Sequence, residues 1–299
     1  MHAIILADRK GHDLAPFTQG RPVAMLPIGN KPLIDIAIEE LFGVGVRTAT
    51  ILSKTGDNSI EKHIGTGSRW GMVIDHISSH IPFRDLNAIV RAVSMLGNSW
   101  IIVRGDMLRP FGLLEEALKR GDNQSSADIY TALGIAFPSG GDEGVTAISW
   151  DNVRATCRLH PCLIDTPSTY HSANIMALSG LVPGVRTAGR PTPDHIMIGL
   201  GTKVLFERAP ARTVVIGKNC LIEKGVELGP FTVIGDEAII DKGAVIRNSI
   251  ILPGTYVGRG VTISDSIVDG AHIYCVKRQV LANFSDHRVV AGHGPPIFA

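Results

Sequence analysis

VVIGKNCLIEKGVELGPFTVIGDEAIIDKGAVIRNSIILPGTYVGRGVTISDSIVDGAHI, from Val214 to Ile273, has a rhythm that decides the second half of the fold. An aliphatic residue returns every six positions, at Ile216, Ile222, Leu228, Ile234, Ile240, Ile246 and Leu252. Gly, Glu, Gly, Gly, Asp, Arg and Pro follow these in turn. A period of six with one inward aliphatic per face is the signature of a parallel β-helix. Each rung there buries its aliphatic residue only by stacking on its neighbours. The phase slips by one residue near Tyr256, and Val257 and Ile263 then carry the rhythm to about Ile273. About ten hexads of this kind make roughly three triangular coils.

Upstream the pattern is different. Ala3 to Ala7 (AIILA) is a continuous apolar run, as expected of a parallel strand covered on both faces. Pro32 opens a helix with Leu33, Ile36, Ile38, Leu41 and Phe42 apolar and Asp35, Glu39 and Glu40 between them, closed by Gly43 and Gly45. Val46 to Ser53, Met72 to Ile77 and Trp100 to Asp106 read as further strands, as do Ala127 to Phe137 and Val145 to Trp150. Ser59 to Ile64, Leu86 to Leu96 and Leu113 to Arg120 read as helices. Strands alternating with helices predict a mostly parallel, Rossmann-like α/β sheet with helices on both faces. Pro161 to Pro193, rich in Pro, Thr and Ser, reads as the irregular end of this domain and a linker.

Bulk properties exclude several classes. The 299 residues carry 29 Lys+Arg against 28 Asp+Glu, a net charge of +1, and this balance argues against nucleic acid and anionic membrane surfaces as partners. Aromatic residues make up 5%, too few for base-stacking surfaces. Membrane insertion is not expected, because no apolar run approaches the ~18 residues a spanning helix needs. Met1-His2 runs straight into a strand, so no signal peptide is expected. The four cysteines, Cys157, Cys162, Cys220 and Cys275, form no dense framework, and a reducing cytoplasm is the natural setting. Cys157-Arg-Leu-His160-Pro-Cys162 has zinc-site residue types, but its spacing matches no standard ligand set.

The opening stretch, MHAIILADRKGHDLAPFTQGRPVAMLPIGNKP (Met1 to Pro32), is laid out as strand, loop and helix, the arrangement that brings phosphates to backbone amides. Yet Asp8 and Asp13 flank its Gly11, where a phosphate site would want bare backbone and positive charge. AIILA is followed by Lys10-Gly11, Pro16, Thr18, Arg21-Pro22 and Ala24-Met25-Leu26-Pro27-Ile28-Gly29-Asn30-Lys31-Pro32, then by Gly45-Val46-Arg47, Ile51-Leu52-Ser53 and Gly105-Asp106, all ahead of the hexads. This order resembles the sugar-1-phosphate nucleotidyltransferases. It is most similar to mannose-1-phosphate guanylyltransferases and to glucose-1-phosphate thymidylyl- or adenylyltransferases that carry a left-handed β-helix.

The resemblance implies a nucleotidyltransferase-like domain over 1–205, a left-handed β-helix over 206–280 and a tail over 281–299. It also implies Mg²⁺, an NTP and a sugar 1-phosphate, whose oxygen attacks the α-phosphorus and releases pyrophosphate. Such displacements depend on cations placed where negative charge gathers. By the resemblance, Leu6, Ala7, Arg9, Lys10 and Gly11 line the nucleotide position, and Asp106 is a metal ligand.

Set against the family's G-G-x-G-T-R-x-x-P-x-T loop, the two leading glycines are Asp8 and Arg9, and the arginine is Asp13. The lysine of R-P-K-A-M-L-P falls on Val23. The family's G-T-A-G-A falls near Asp85 to Ala88, its E-K-P on Leu159-His160-Pro161, its N-A-G-I-Y on Ser172 to Met176, and its second metal aspartate on Gly199. Losing a charged partner costs about 1.5–3 kcal/mol. Losses of this kind at the transition state lower turnover by about four orders of magnitude if they add.

The sequence thus favours a non-catalytic or regulatory relative that retains a nucleotide or nucleotide-sugar pocket. It would pair through its β-helix, as a homo- or hetero-oligomer, with an active nucleotidyltransferase or another polysaccharide-synthesis protein. The alternative is an active Mg²⁺-dependent enzyme in which Arg9 or Lys10 replaces the lost cations. Hexapeptide acyltransferases use a histidine as base, which brings His272 into view, but a lone histidine on a rung is more often a surface residue.

Overall fold

The computed structural model describes residues 1–54, 56–79, 100–115, 135–136, 162–192, 196–205 and 213–292. The chain divides into two compact units. The first comprises Met1–His12, Thr18–Leu26 and Pro32–Ile164, and the second Asp13–Phe17, Pro27–Lys31 and Asp165–Ala299.

In the first unit the elements are β1 (His2–Ala7), α1 (Leu33–Gly43), β2 (Thr48–Lys54), α2 (Ser59–Ile64), β3 (Val73–Ser79), β4 (Trp100–Arg104) and β5 (Ile135–Ala136). They form a sheet of order β3-β2-β1-β4-β5, parallel except for β5. β1 lies in the middle, and all of its residues from Ala3 to Ala7 are buried, which is why it reads as an unbroken apolar run. Ile34, Ile38 and Leu41 of α1 pack with Ile5, Ile51 and Val103 in one core. Val46 N–H bonds Leu41 O at 3.1 Å as the chain leaves α1 and turns toward β2. The expected helix at Leu86 to Leu96 and strand at Val145 to Trp150 lie outside the described residues, as do most of Leu113 to Arg120 and of Ala127 to Phe137.

The second unit contains the coil. Three sheets run along it, and successive coils stack in parallel register. Ile198 pairs with Ile216, Val204 with Ile222 and Leu228 with Ile246, each an offset of 18 residues. Stacking therefore begins at Met197, ahead of the hexads read from the sequence. Ile216, Ile222, Leu228, Ile234, Ile240 and Ile246 form the apolar interior. At Gly199 a Cβ would lie 2.4 Å from the carbonyl carbon of Gly217, so the rung above leaves no room for a side chain there.

The phase slip is not at Tyr256. Ile234 pairs with Ile251 rather than Leu252, and Ile240 pairs with Val257, an offset of 17. The missing residue falls at the corner between Arg247 and Ile250, where Asn248 turns with φ 47°. The same shortened corner recurs at Asp265, with φ 49°. Asn and Asp tolerate this left-handed conformation better than other side chains that carry a Cβ. Here the two also bond each other, Asn248 Nδ2 donating to Asp265 Oδ1 at 2.5 Å. Beside them the Ser249 and Ser266 hydroxyls donate to Arg247 O and Ser264 O, each at 2.7 Å, and tie the tight corners shut. The short hexads I-R-N-S-I and I-S-D-S-I carry this signal in the sequence.

Parallel stacking stops at Val268, not near Ile273. Ser266–Asp269, His272–Cys275 and Val280–Asn283 form an antiparallel meander, and Val290–Gly292 pairs antiparallel with Thr255–Val257. His272 thus stands on an antiparallel strand rather than on a rung.

The stretch read as a linker holds a helix, α3 (Pro167–Leu178). Thr166 caps it in a reciprocal box with Thr169, and Pro167 occupies the first helical position. α3 gathers the Pro27–Lys31 loop. The Tyr170 hydroxyl donates to Pro27 O at 2.7 Å, and Asn174 Oδ1 accepts from Gly29 N–H at 2.9 Å. Asn30 Nδ2 donates to Ile234 O of the coil at 2.7 Å. The Pro-Ile-Gly-Asn run is therefore a structural fastener of the second unit.

Candidate functional site

In the first unit the chain leaves β1 toward β2 and β3, then returns to β4 on the other side of β1. Such a reversal opens a crevice at the carboxyl ends of the two strands concerned. Leu6 stands beside Arg104 in the register, and Gly105 N–H donates to Leu6 O at 2.8 Å. A Cβ on Gly105 would come within 3.2 Å of that same oxygen, so glycine lets the two strand ends approach closely without a shift. The loop after β1 and the Gly105-Asp106 turn thereby meet.

What they bring together is one carboxylate and two guanidinium groups. Asp106 is 2% exposed. Arg104 grips it with two bonds, Nε to Oδ1 and Nη2 to Oδ2, each 2.8 Å. Arg9 Nε lies 2.7 Å from Oδ2 without the alignment of a hydrogen bond, while Arg9 Nη2 donates to Ile164 O. Burial alone would raise the Asp106 carboxyl; the bonds and charge of Arg104, with the charge of Arg9, hold it below the usual carboxylate range. Burial likewise opposes the Arg104 charge, but Asp106, with Asp8 adding to it, raises the guanidinium further.

Behind this cluster lies a second, wholly buried ion pair. Arg109, 1% exposed, donates through Nε (3.0 Å) and Nη2 (2.9 Å) to Oε2 of Glu40 on α1, which is 3% exposed. Arg109 Nη1 also donates to Arg104 O at 3.0 Å and so braces the turn that presents Asp106. Burial pushes the Glu40 carboxyl up, against the pull of Arg109.

The other positions singled out in the sequence are disposed as follows. Leu6 and Ala7 are buried at the end of β1. The Gly11 carbonyl accepts from Thr18 Oγ1 at 2.7 Å, which pins the loop. Lys10 and Asp13 are exposed. Val23 is 0% exposed, and its N–H donates to Arg9 O at 3.2 Å. The position expected of a phosphate-binding lysine is thus part of the apolar interior. Gly199 belongs to a corner of the coil, where stacking and not lost metal binding accounts for glycine. Asn174 on α3 serves the Pro27–Lys31 loop. Cys162 is half-buried, while Cys157, His160 and the Asp85 to Ala88 segment lie outside the described residues.

Arg104, Arg109 and Glu40 did not stand out in the sequence. Glu40 had a signal: it follows Ile36 by four residues and so shares its buried face.

A magnesium site does not fit these residues. Mg²⁺ takes oxygen ligands in near-octahedral geometry, whereas both oxygens of Asp106 are engaged by arginines. Among the described residues no group of three His, Cys, Asp or Glu could hold a metal ion.

The Asp106 cluster makes a pH prediction. Its folded pKa lies below the unfolded value, so its stabilisation is fully present above about pH 4 and is lost as the pH falls through the folded value. Urea unfolding at a series of pH values is expected to show a shallower acid limb for Asp106→Asn than for the wild type.

Comparison with known proteins agrees with this layout. Residues 2–143 match the nucleotidyl transferase family, and residues 211–278 match the GMPPB C-terminal domain. A low-salt glycan biosynthesis nucleotidyltransferase of Haloferax volcanii is 28% identical over 126 residues, 41% of this chain and 35% of that protein. A glucose-1-phosphate thymidylyltransferase of Neisseria meningitidis is 27% identical over 46% of this chain and 49% of its own length. A glucose-1-phosphate thymidylyltransferase of Streptomyces antibioticus is 22% identical over 90% of this chain and 81% of its own length. The chain spans between about a third and half of the length of the first two. The fold, with its parallel sheet followed by a parallel coil, is that of a nucleotidyltransferase with a strand-rich C-terminal region. The chain thus carries a nucleotidyl transferase domain over residues 2–143 and is similar to sugar-1-phosphate nucleotidyltransferases.

Proposed function

We propose that this chain is a non-catalytic, regulatory or binding member of that family, acting in nucleotide-sugar and polysaccharide biosynthesis. The observation that carries the reading is the state of Asp106, the carboxylate at the end of β4, which is held by Arg104 and Arg9. Of the two residues that could replace the lost cations, Arg9 and Lys10, Arg9 is already committed to Asp106 and Ile164 O. Buried Val23 and exposed Asp13 leave Lys10 as the cation of the loop that remains exposed to solvent.

What has been kept supports the same reading. Gly11, Thr18, Pro27, Gly29 and Asn30 all make bonds within their own units, while the positions that would carry charge to a triphosphate have changed. Retention follows structure, and loss follows chemistry. The partner in this reading is an active nucleotidyltransferase or another polysaccharide-synthesis protein, met through the coil, and the ligand is a nucleotide or nucleotide sugar.

The test is the forward reaction. Purified full-length protein with Mg²⁺, each NTP and a panel of hexose 1-phosphates is expected to release pyrophosphate at no more than the blank rate. Steady, protein-dependent release would return the chain to the active enzymes.

A further inference from the structure

We infer that Arg9 and Arg104 have taken the place of the divalent cation, so that the crevice between β1 and β4 is closed to Mg²⁺ and to ions like it. The inference deepens the reading above and rests on the same cluster. Three guanidinium nitrogens lie within 2.8 Å of the two Asp106 oxygens. Guanidinium keeps its charge throughout the working pH range. A dication arriving at this carboxylate therefore meets two fixed positive charges at the distance where its own ligands should be.

Displacing the arginines is obstructed from two sides. Arg9 is tethered to Ile164 O, and the backbone of Arg104 is held by Arg109, itself anchored on Glu40. Asp8, in the loop after β1, lends its charge to Arg104. The cluster supplies internally the positive charge that a metal brings from outside. An anionic group entering the crevice would meet Arg9, whose side chain is 26% exposed, with no cation between them.

Mn²⁺ is the probe, because it substitutes for Mg²⁺ at oxygen sites and broadens the NMR signals of nearby amides. It is titrated into the wild-type full-length protein, and the amides of Gly105, Asp106, Met107 and Leu108 are followed. The expected result is that these four signals keep their intensity, whether or not Mn²⁺ broadens residues elsewhere. Selective broadening of these four, removed by EDTA and absent in Asp106→Asn, would overturn the inference. The two proposals fail separately. Turnover with silent 105–108 amides defeats the non-catalytic reading alone, and broadening without turnover defeats this one alone.

Discussion

Glu40→Ala is expected to destabilise the first unit by about 3–5 kcal/mol, the usual cost of removing one partner from a buried ion pair. Arg109 is 1% exposed and spends two of its nitrogens on Glu40, so the truncation leaves a guanidinium charge without water or counter-ion. The damage should also reach Asp106, because Arg109 braces Arg104 O. Removing both charges together, as Glu40→Leu with Arg109→Met, is expected to cost much less than the single change. Buried pairs replaced by apolar groups of similar size are often neutral or better. Urea unfolding of the three proteins measures this directly. A single variant as stable as the wild type would mean that the pair is not buried as described.

The second large effect is expected at Val23. Val23→Lys, which introduces the lysine expected there from the resemblance, should lower stability by about 3–5 kcal/mol and restore no turnover. The side chain is 0% exposed, so the ammonium either loses its hydration or forces the segment open. A lysine buried in this way has a folded pKa below its ordinary value of about 10.4. The unfolded state then binds the extra proton, so the stability deficit should shrink as the pH rises from 7 toward 10. A deficit independent of pH would point to steric strain instead of a buried charge.

Most of the architecture could be read from the sequence, because it rests on periodicity. The six-residue rhythm located the coil, and the apolar run at Ala3 to Ala7 located the central strand. Where reading failed, a local contact had overridden the rhythm. The Asn248 and Asp265 corners shorten two hexads, which places the slip away from Tyr256, and the chain reverses after Asp269 into an antiparallel strand, so parallel stacking ends at Val268 rather than near Ile273. Helix α3 was hidden because its Pro, Ser and Thr look like a linker, although here they cap and start a helix. At the candidate site, Arg9 and Asp106 were recognisable as residue types in a familiar order. That each is the other's counter-ion depends on β1 and β4 lying side by side, which no local pattern states. Arg109 and Glu40 pair across 69 residues of sequence, a contact that no local pattern states.

A crevice that does not catalyse nucleotidyl transfer is tested most directly by the reverse reaction. Pyrophosphate and a series of NDP-sugars are supplied with Mg²⁺, and formation of NTP is followed over hours. Ordinary enzymes turn over at about 10 s⁻¹, so losses of about four orders of magnitude predict a rate at or below ~10⁻³ s⁻¹. Mg²⁺-dependent NTP formation near 1 s⁻¹ that disappears in Asp106→Asn would contradict the account.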